Sequence, residues 1–350
     1  MKRTKYKELL LLILVAILFF IIGNMSNQLN LYAYLKRLFS RPLNSQVVEK
    51  STDVSFYETQ YETDEISLLS LNKDMLLESE KPLKFLVAGH IFGDPYDDNL
   101  IQPAMTLQKN LQTFNQMDLD MIVLLGDIIK NSTEENFNHF TNFFLEVIQI
   151  PVFNAVGNHD VEKRDLYTKK FGETNFSFIY KDHLFIFLDT NIETFTLTDN
   201  QFNYIENTII ESLDRKSLKS IHIFVHHVIF YKSPAIAFPS KFQPNVNYSM
   251  KKNVEKFIIN ILDPVSDLVP VFIYAGDVGA GAQCGNLSPY YDYFKNTNVI
   301  TIATGIGNCE EDSVLIVQET NNEIYIEPYS LVGKEMLPIE TYNTEYWKKK

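Results

Sequence analysis

The chain has 350 residues, with 31 basic against 44 acidic side chains and a formal net charge of −13. Its 45% apolar and 13% aromatic content excludes a wholly disordered chain, a collagen or a small disulfide scaffold, and the length suffices to bury one large core or two smaller ones. So acidic a chain repels a phosphate backbone, so no nucleic acid is expected as partner, and two cysteines, Cys284 and Cys309, cannot build a four-cysteine zinc site.

In chain order, Lys2, Arg3, Lys5 and Lys7 precede an uninterrupted apolar run over residues 9–23. A helix of that length rises about 22 Å, short of the roughly 30 Å hydrocarbon core. No charge follows until Lys36, so a single-pass transmembrane signal anchor over 9–29 is expected. The leading basic cluster keeps residues 1–8 in the cytoplasm and the bulk of the chain outside it. A cleaved signal peptide competes with this reading, although Gly-Asn-Met-Ser-Asn is a poor small-x-small site. A buried core helix is the third reading, weakened because nothing polar interrupts the run. Residues 30–81 lack a clear period and read as a stalk, with one short amphipathic helix near Ile66 to Met75.

From Pro82 short apolar runs alternate with longer amphipathic segments. The runs are Lys84–Ala88, Met121–Leu125, Val152–Ala155, Leu184–Leu188, Ile221–Val225, Val271–Ala275 and Val299–Ala303, mostly β-branched or aromatic, as buried strands should be. Helical stretches such as Gln102–Gln116 and Glu134–Ile148 lie between them. Phe176–Tyr180 with Leu184–Leu188, and Val314–Gln318 with Glu323–Glu327, read as hairpins. The expectation is an α/β layered fold with mixed sheets over residues 82–330, followed by a tail, 331–350. The segment Phe230 to Pro264, with three prolines, reads as a lid or insertion.

In layered α/β folds ligands gather at the carboxyl ends of strands. After the first strand stand Gly89-His90; after the second, Gly126-Asp127, then Asn131. After the third stand Gly157-Asn158-His159-Asp160; after the fifth, His226-His227; after the sixth, Gly276-Asp277-Val278-Gly279. One such residue would mean little, but five in succession point to a divalent cation held by Asp, Asn and His.

This ordered set resembles the calcineurin-like metallophosphoesterases, whose motifs are Asp-x-His, Gly-Asp-x-x-(Asp/Asn), Gly-Asn-His-(Asp/Glu), a strand-end His and Gly-His-x-His. The resemblance implies an α/β/β/α sandwich of mixed sheets and hydrolysis of a phosphate mono- or diester with one or two divalent ions: Mn²⁺, Mg²⁺, Fe²⁺, Zn²⁺ or Ca²⁺. It implies that Asp127 bridges two metals, that Asn158 and His226 bind the second and that His90 binds the first. His159 would contact the phosphate and protonate the leaving oxygen, with Asp160 orienting its ring.

Two motifs depart from the pattern. Ala88 stands where the first Asp should be, and Asp277 and Gly279 replace the two final histidines. The second site keeps Asp127, Asn158, His226 and, by substitution, Asp277. The first keeps only His90 and Asp127, so it is either empty or filled by others, with Asp94 a candidate and Asp97 and Asp98 weaker ones. The expected protein is therefore an outward-facing, membrane-anchored phosphoesterase with a depleted metal site, acting on a phosphorylated small molecule or a cell-surface polymer. The alternative is a non-catalytic binding or assembly protein on the same fold. Cys284 and Cys309 follow neighbouring strands and read either as one disulfide at the site rim or as two buried thiols.

Overall fold

The computed structural model describes residues 66–73, 75, 79–96, 103–193, 195–230, 252–279 and 287–349. The expected anchor at 9–29, Asp97, Asp98 and Cys284 lie outside the described residues. Among the described residues no helix is long and apolar enough to cross a membrane.

Eleven strands form two mixed sheets among the described residues. The first contains β1 (Lys84–Ala88), β2 (Met121–Leu124), β3 (Val152–Asn154), β10 (Ser313–Thr320) and β11 (Glu323–Ser330), in the order β11-β10-β1-β2-β3. Here β1, β2 and β3 run parallel, and β10 pairs antiparallel with both β1 and β11. The second contains β4 (Phe176–Tyr180), β5 (His183–Phe187), β6 (Ser220–Phe224), β7 (Val271–Ala275), β8 (Tyr290–Tyr293) and β9 (Ile300–Ala303), in the order β4-β5-β6-β7-β9-β8. Its four central strands are parallel, and the edge strands β4 and β8 are antiparallel.

Successive residues of a strand face opposite sides, and both sides of these sheets are apolar. Phe85, Val87, Met121, Val123 and Phe153 face the second sheet and join its core. Leu86, Ala88, Ile122 and Leu124 turn the other way, into a cluster with Leu107, Phe114, Phe137 and Phe140. The layer between the sheets is largely aromatic: Phe85 meets Phe185 at 5.5 Å between ring centroids, and Phe153 meets Phe178 at 4.9 Å. This is where much of the abundant phenylalanine goes. His222 lies in the same layer, fully buried and stacked on Phe272 and Phe185.

The helices cover the outer faces. α1 (Glu134–Phe140) starts at Thr133, whose side chain accepts the Asn136 N–H, and passes into a wider turn over Thr141–Leu145. Thr141 Oγ1 donates to the Phe137 carbonyl at this change of pitch. α2 is Arg164–Phe171, and α3 (Asp199–Leu213) opens with a reciprocal capping box between Thr198 and Gln201. α4 (Lys252–Phe257) and the helical residues after it, to Ser266, occupy the last part of the expected insertion. The expected helix Gln102–Gln116 is two single turns, Met105–Gln108 and Leu111–Phe114. Between them Asn110 donates to the Thr106 and Leu331 carbonyls, which draws the chain off the helical path.

Both ends of the expected domain extend further. Residues 66–72, read as stalk, belong to the fold: Ile66 is buried, Leu71 N–H donates to Val152 O at 2.7 Å, and Asn72 bonds both Ile150 and Val152. Residues 331–349, read as a tail, pack on β8 through Tyr342 and through Trp347, whose indole donates to Pro289 O.

Candidate metal centre

The carboxyl ends of β1, β2 and β3 in one sheet and of β6 and β7 in the other meet at one rim of the sandwich. Backbone bonds join the sheets there, with Ile306 N–H donating to Gly89 O at 3.0 Å. A Cβ on Gly89 would collide with the Thr304 carbonyl and with Gly276. Glycine is what lets the two sheet ends close on each other.

Asp127 follows β2 in left-handed backbone (φ 55°) and is buried. Its Oδ1 accepts the His159 N–H at 3.2 Å. Its Oδ2 faces two imidazoles, His90 Nε2 at 3.6 Å and His226 Nε2 at 3.4 Å. His90, also left-handed (φ 49°), is pinned by its N–H to Gly126 O. His226 Nδ1 meets the Leu125 carbonyl at 2.7 Å, so Nδ1 carries the hydrogen and Nε2 presents a lone pair to the pocket. Asp277 Oδ1 stands 4.0 Å from His226 Nε2. Buried His226 Nε2 and Asp277 Oδ2 have no hydrogen-bond partner among the described residues, as expected of atoms whose partner is a cation.

Charge supports the same reading. Burial alone would lower the His226 pKa, but the Asp127 and Asp277 carboxylates reverse this and raise it to about 10. Burial works against ionisation of Asp127, yet His226 and His90 hold it well below the usual carboxylate range. In a pocket so negative a proton on His226 stands in for a metal ion. The donor set of two carboxylates and two imidazoles fits such an ion. The candidate ligand groups are His90 with Asp127 and Asp277, and His226 with His227 and Asp277, each with ligand atoms within 4.8 Å. The structure thus brings His90, Asp127, His226 and Asp277 together. Asn158 lies half-buried in the turn before His159.

One expected role is corrected. Asp160 does not orient the His159 ring. Its buried carboxylate accepts the backbone N–H groups of Asp127 (3.0 Å), Ile128 (2.8 Å) and Gly157 (2.9 Å), and the Asn154 amide. Burial and the nearby Asp127 charge raise its pKa to about 6. The ring of His159 is held instead by the Lys130 carbonyl, 2.5 Å from Nδ1, and edge-on by Phe92. Asp94 Oδ1 is engaged in its own turn with the Tyr96 N–H.

His227 follows His226 directly in the chain. Its Nδ1 lies 2.6 Å from Thr190 Oγ1 after β5, and its ring stands beside that of His226. The signal for it was only its adjacency to His226. Cys309 forms a disulfide.

Residues 90–234 match the family model described as calcineurin-like phosphoesterase. The match spans less than half of the chain, and within it stand His90, Asp127, Asn158, His159, Asp160 and His226. Among solved structures, a purple acid phosphatase isolated from yellow lupin (Lupinus luteus) seeds aligns with a TM-score of 0.52 at 16% identity. That alignment covers 74% of this chain and 53% of the lupin protein, so this chain spans about half its length. A putative 5'-nucleotidase from Staphylococcus aureus aligns at 11% identity with a TM-score of 0.38, covering 77% of this chain and 58% of that one. No curated protein matches the chain. The first likeness supports the two-sheet fold.

Proposed function

We propose that this chain is a membrane-anchored, metal-dependent phosphoesterase with an atypical metal site. The observation that carries the catalytic part is the convergence of His90, Asp127, His226 and Asp277 beside His159, all on strand ends of one rim. When bound, a divalent ion supplies Lewis-acid polarisation of the phosphoryl oxygen. Asp127, His226, Asp277 and His90 would hold it, with Asn158, which precedes His159 in the chain, as a further expected ligand. Asp160 fixes the Asp127 loop through three backbone N–H groups, so the ligand carboxylate needs no reorganisation. His159 keeps its Nδ1–H on the Lys130 carbonyl, so it is the imidazolium form that carries a proton on Nε2 to give to the departing alkoxide, leaving the neutral Nδ1–H ring. The substrate class is a phosphate mono- or diester on a small molecule or cell-surface polymer. The anchor is the segment 9–29 with its apolar run over 9–23, and the basic cluster before it puts the catalytic domain outside the cytoplasm.

The test is turnover of a chromogenic phosphate monoester and diester by the purified chain with Mn²⁺. His159→Ala is expected to lower kcat by about 10²- to 10⁴-fold, the usual worth of a positioned proton donor, with the fold retained. Equal inertness of wild type and variant on both esters would overturn the catalytic reading and favour a binding protein.

A further inference from the structure

We propose that Asp189, which stands outside the candidate ligands, is a positioning residue that holds both ends of the 156–164 segment, on which Asn158, His159 and Asp160 lie. Its effect on turnover rests on the phosphoesterase reading above; its hold on the segment does not.

Asp189 lies two residues beyond β5, in the second sheet, and is fully buried. Its Oδ2 accepts from Nη1 of Arg164, the first residue of α2. Its Oδ1 accepts from the backbone N–H of Asn191 at 2.8 Å and from the side-chain amide of Asn191 at 3.0 Å. The same amide donates to the Val156 carbonyl at 3.0 Å. One carboxylate of the second sheet therefore reaches the segment at both ends: through Asn191 at Val156, directly before Gly157, and through Arg164 where α2 begins. Between these ends Asp160 holds the N–H groups of Asp127 and Ile128.

The anchor is itself fixed. Asp189 N–H donates to Asn175 Oδ1 at 3.0 Å, and its carbonyl accepts from Gln201 Nε2 at 2.8 Å. Gln201 Nε2 also donates to Asn175 Oδ1, and all three residues are buried. Holding both ends removes conformations that the segment would otherwise sample, so His159 needs less ordering when substrate arrives.

Helix α2 does not account for Arg164. A cation in the first turn faces the positive end of the helix dipole, which disfavours it. A fully buried carboxylate does need a cation, and Arg164 pairs with Asp189. The Arg164 side chain is 29% exposed, so direct contact with substrate is the rival role that the test must separate from positioning.

The full chain is compared with Arg164→Gln, Arg164→Lys and Asn191→Ala, because removing Asp189 itself strands several buried donors. In hydrogen exchange followed by mass spectrometry, peptides covering 157–163 should exchange about fivefold faster or more in Arg164→Gln and Asn191→Ala. β1 and β10 should keep their protection, and Arg164→Lys should stay close to wild type. On the chromogenic monoester or diester, kcat should fall about ten- to a hundredfold in the same two variants, with KM unchanged. Unchanged exchange over 157–163 would overturn the inference, as would protection lost equally across both sheets. Faster exchange with kcat unchanged would also overturn it, and a raised KM with kcat kept would make Arg164 a substrate contact instead. If the wild-type chain turns over neither ester, the phosphoesterase reading fails, and exchange alone decides whether Asp189 holds the segment. Asn191→Ala removes no charge from a half-buried position, so it gives the answer should Arg164→Gln fail to fold.

Discussion

Asp127 and His90 hold left-handed backbone, a conformation that costs a non-glycine residue on the order of 1–2 kcal/mol. Asp160 supplies the restraint. Its carboxylate gathers three N–H groups of the Asp127 and Gly157 turns, all buried. Asp160→Ala would strand these donors away from water at about 1–3 kcal/mol each, so a loss of several kcal/mol is expected in urea unfolding. Asp160→Asn should recover part of it, because the amide oxygen still accepts. An unchanged unfolding midpoint in Asp160→Ala would refute the clamp. The role of Asp160 was not legible in Gly157-Asn158-His159-Asp160, because adjacency to His159 suggests a ring contact. Two of the true partners, Asp127 and Ile128, sit on a different strand end, which only the folded register brings near.

At the scale of elements, β6 joins a structural imidazole to a ligand-bearing end. His222, within the strand, has Nε2 at 2.7 Å from Ser220 Oγ and Nδ1 at 3.1 Å from the Tyr274 hydroxyl. Burial pushes its pKa well below the ordinary histidine value, so the folded chain refuses a proton that the unfolded chain accepts near pH 6.5. Its contribution to stability is complete above that pH and declines as the pH falls toward the folded value. The decline amounts to at most about 1.4 kcal/mol per pH unit. Burial also lowers His183, which adds the same sign. Between pH 7 and 5 the Tm should fall, and less steeply in His222→Gln. Identical slopes would contradict this. The strands themselves were readable, because apolar runs two faces deep leave few alternatives. β8 was not: Tyr290–Tyr293 has no apolar run and is held by backbone pairing to β9 and by the segment around Tyr342. The broken helix at Asn110 and the wide turn at Thr141 escaped for a related reason. Side-chain bonds to carbonyls decide them, not periodicity.

For the molecule as a whole, an ion bound only by the folded chain adds stability through mass action, about 2.7 kcal/mol at a hundredfold excess over Kd. Adding Mn²⁺ to chelator-treated protein should therefore raise Tm by roughly 4 °C for a chain of this size. An unchanged melting curve would show that the rim binds no ion. The architecture and the meeting of His90, Asp127, His226 and Asp277 at one rim could be read from strand-end residues because each follows its own apolar run. The boundaries could not, since Ile66–Asn72 and Tyr342–Trp347 are each too short to show the period of a docked element.

Leu71 and Asn72 are stitched to Ile150 and Val152, where β3 begins, while His159 stands just beyond the point where β3 ends. Residues 66–72 thus brace the end of β3 remote from the candidate metal centre, and loosening them frees the start of the strand without touching a candidate ligand.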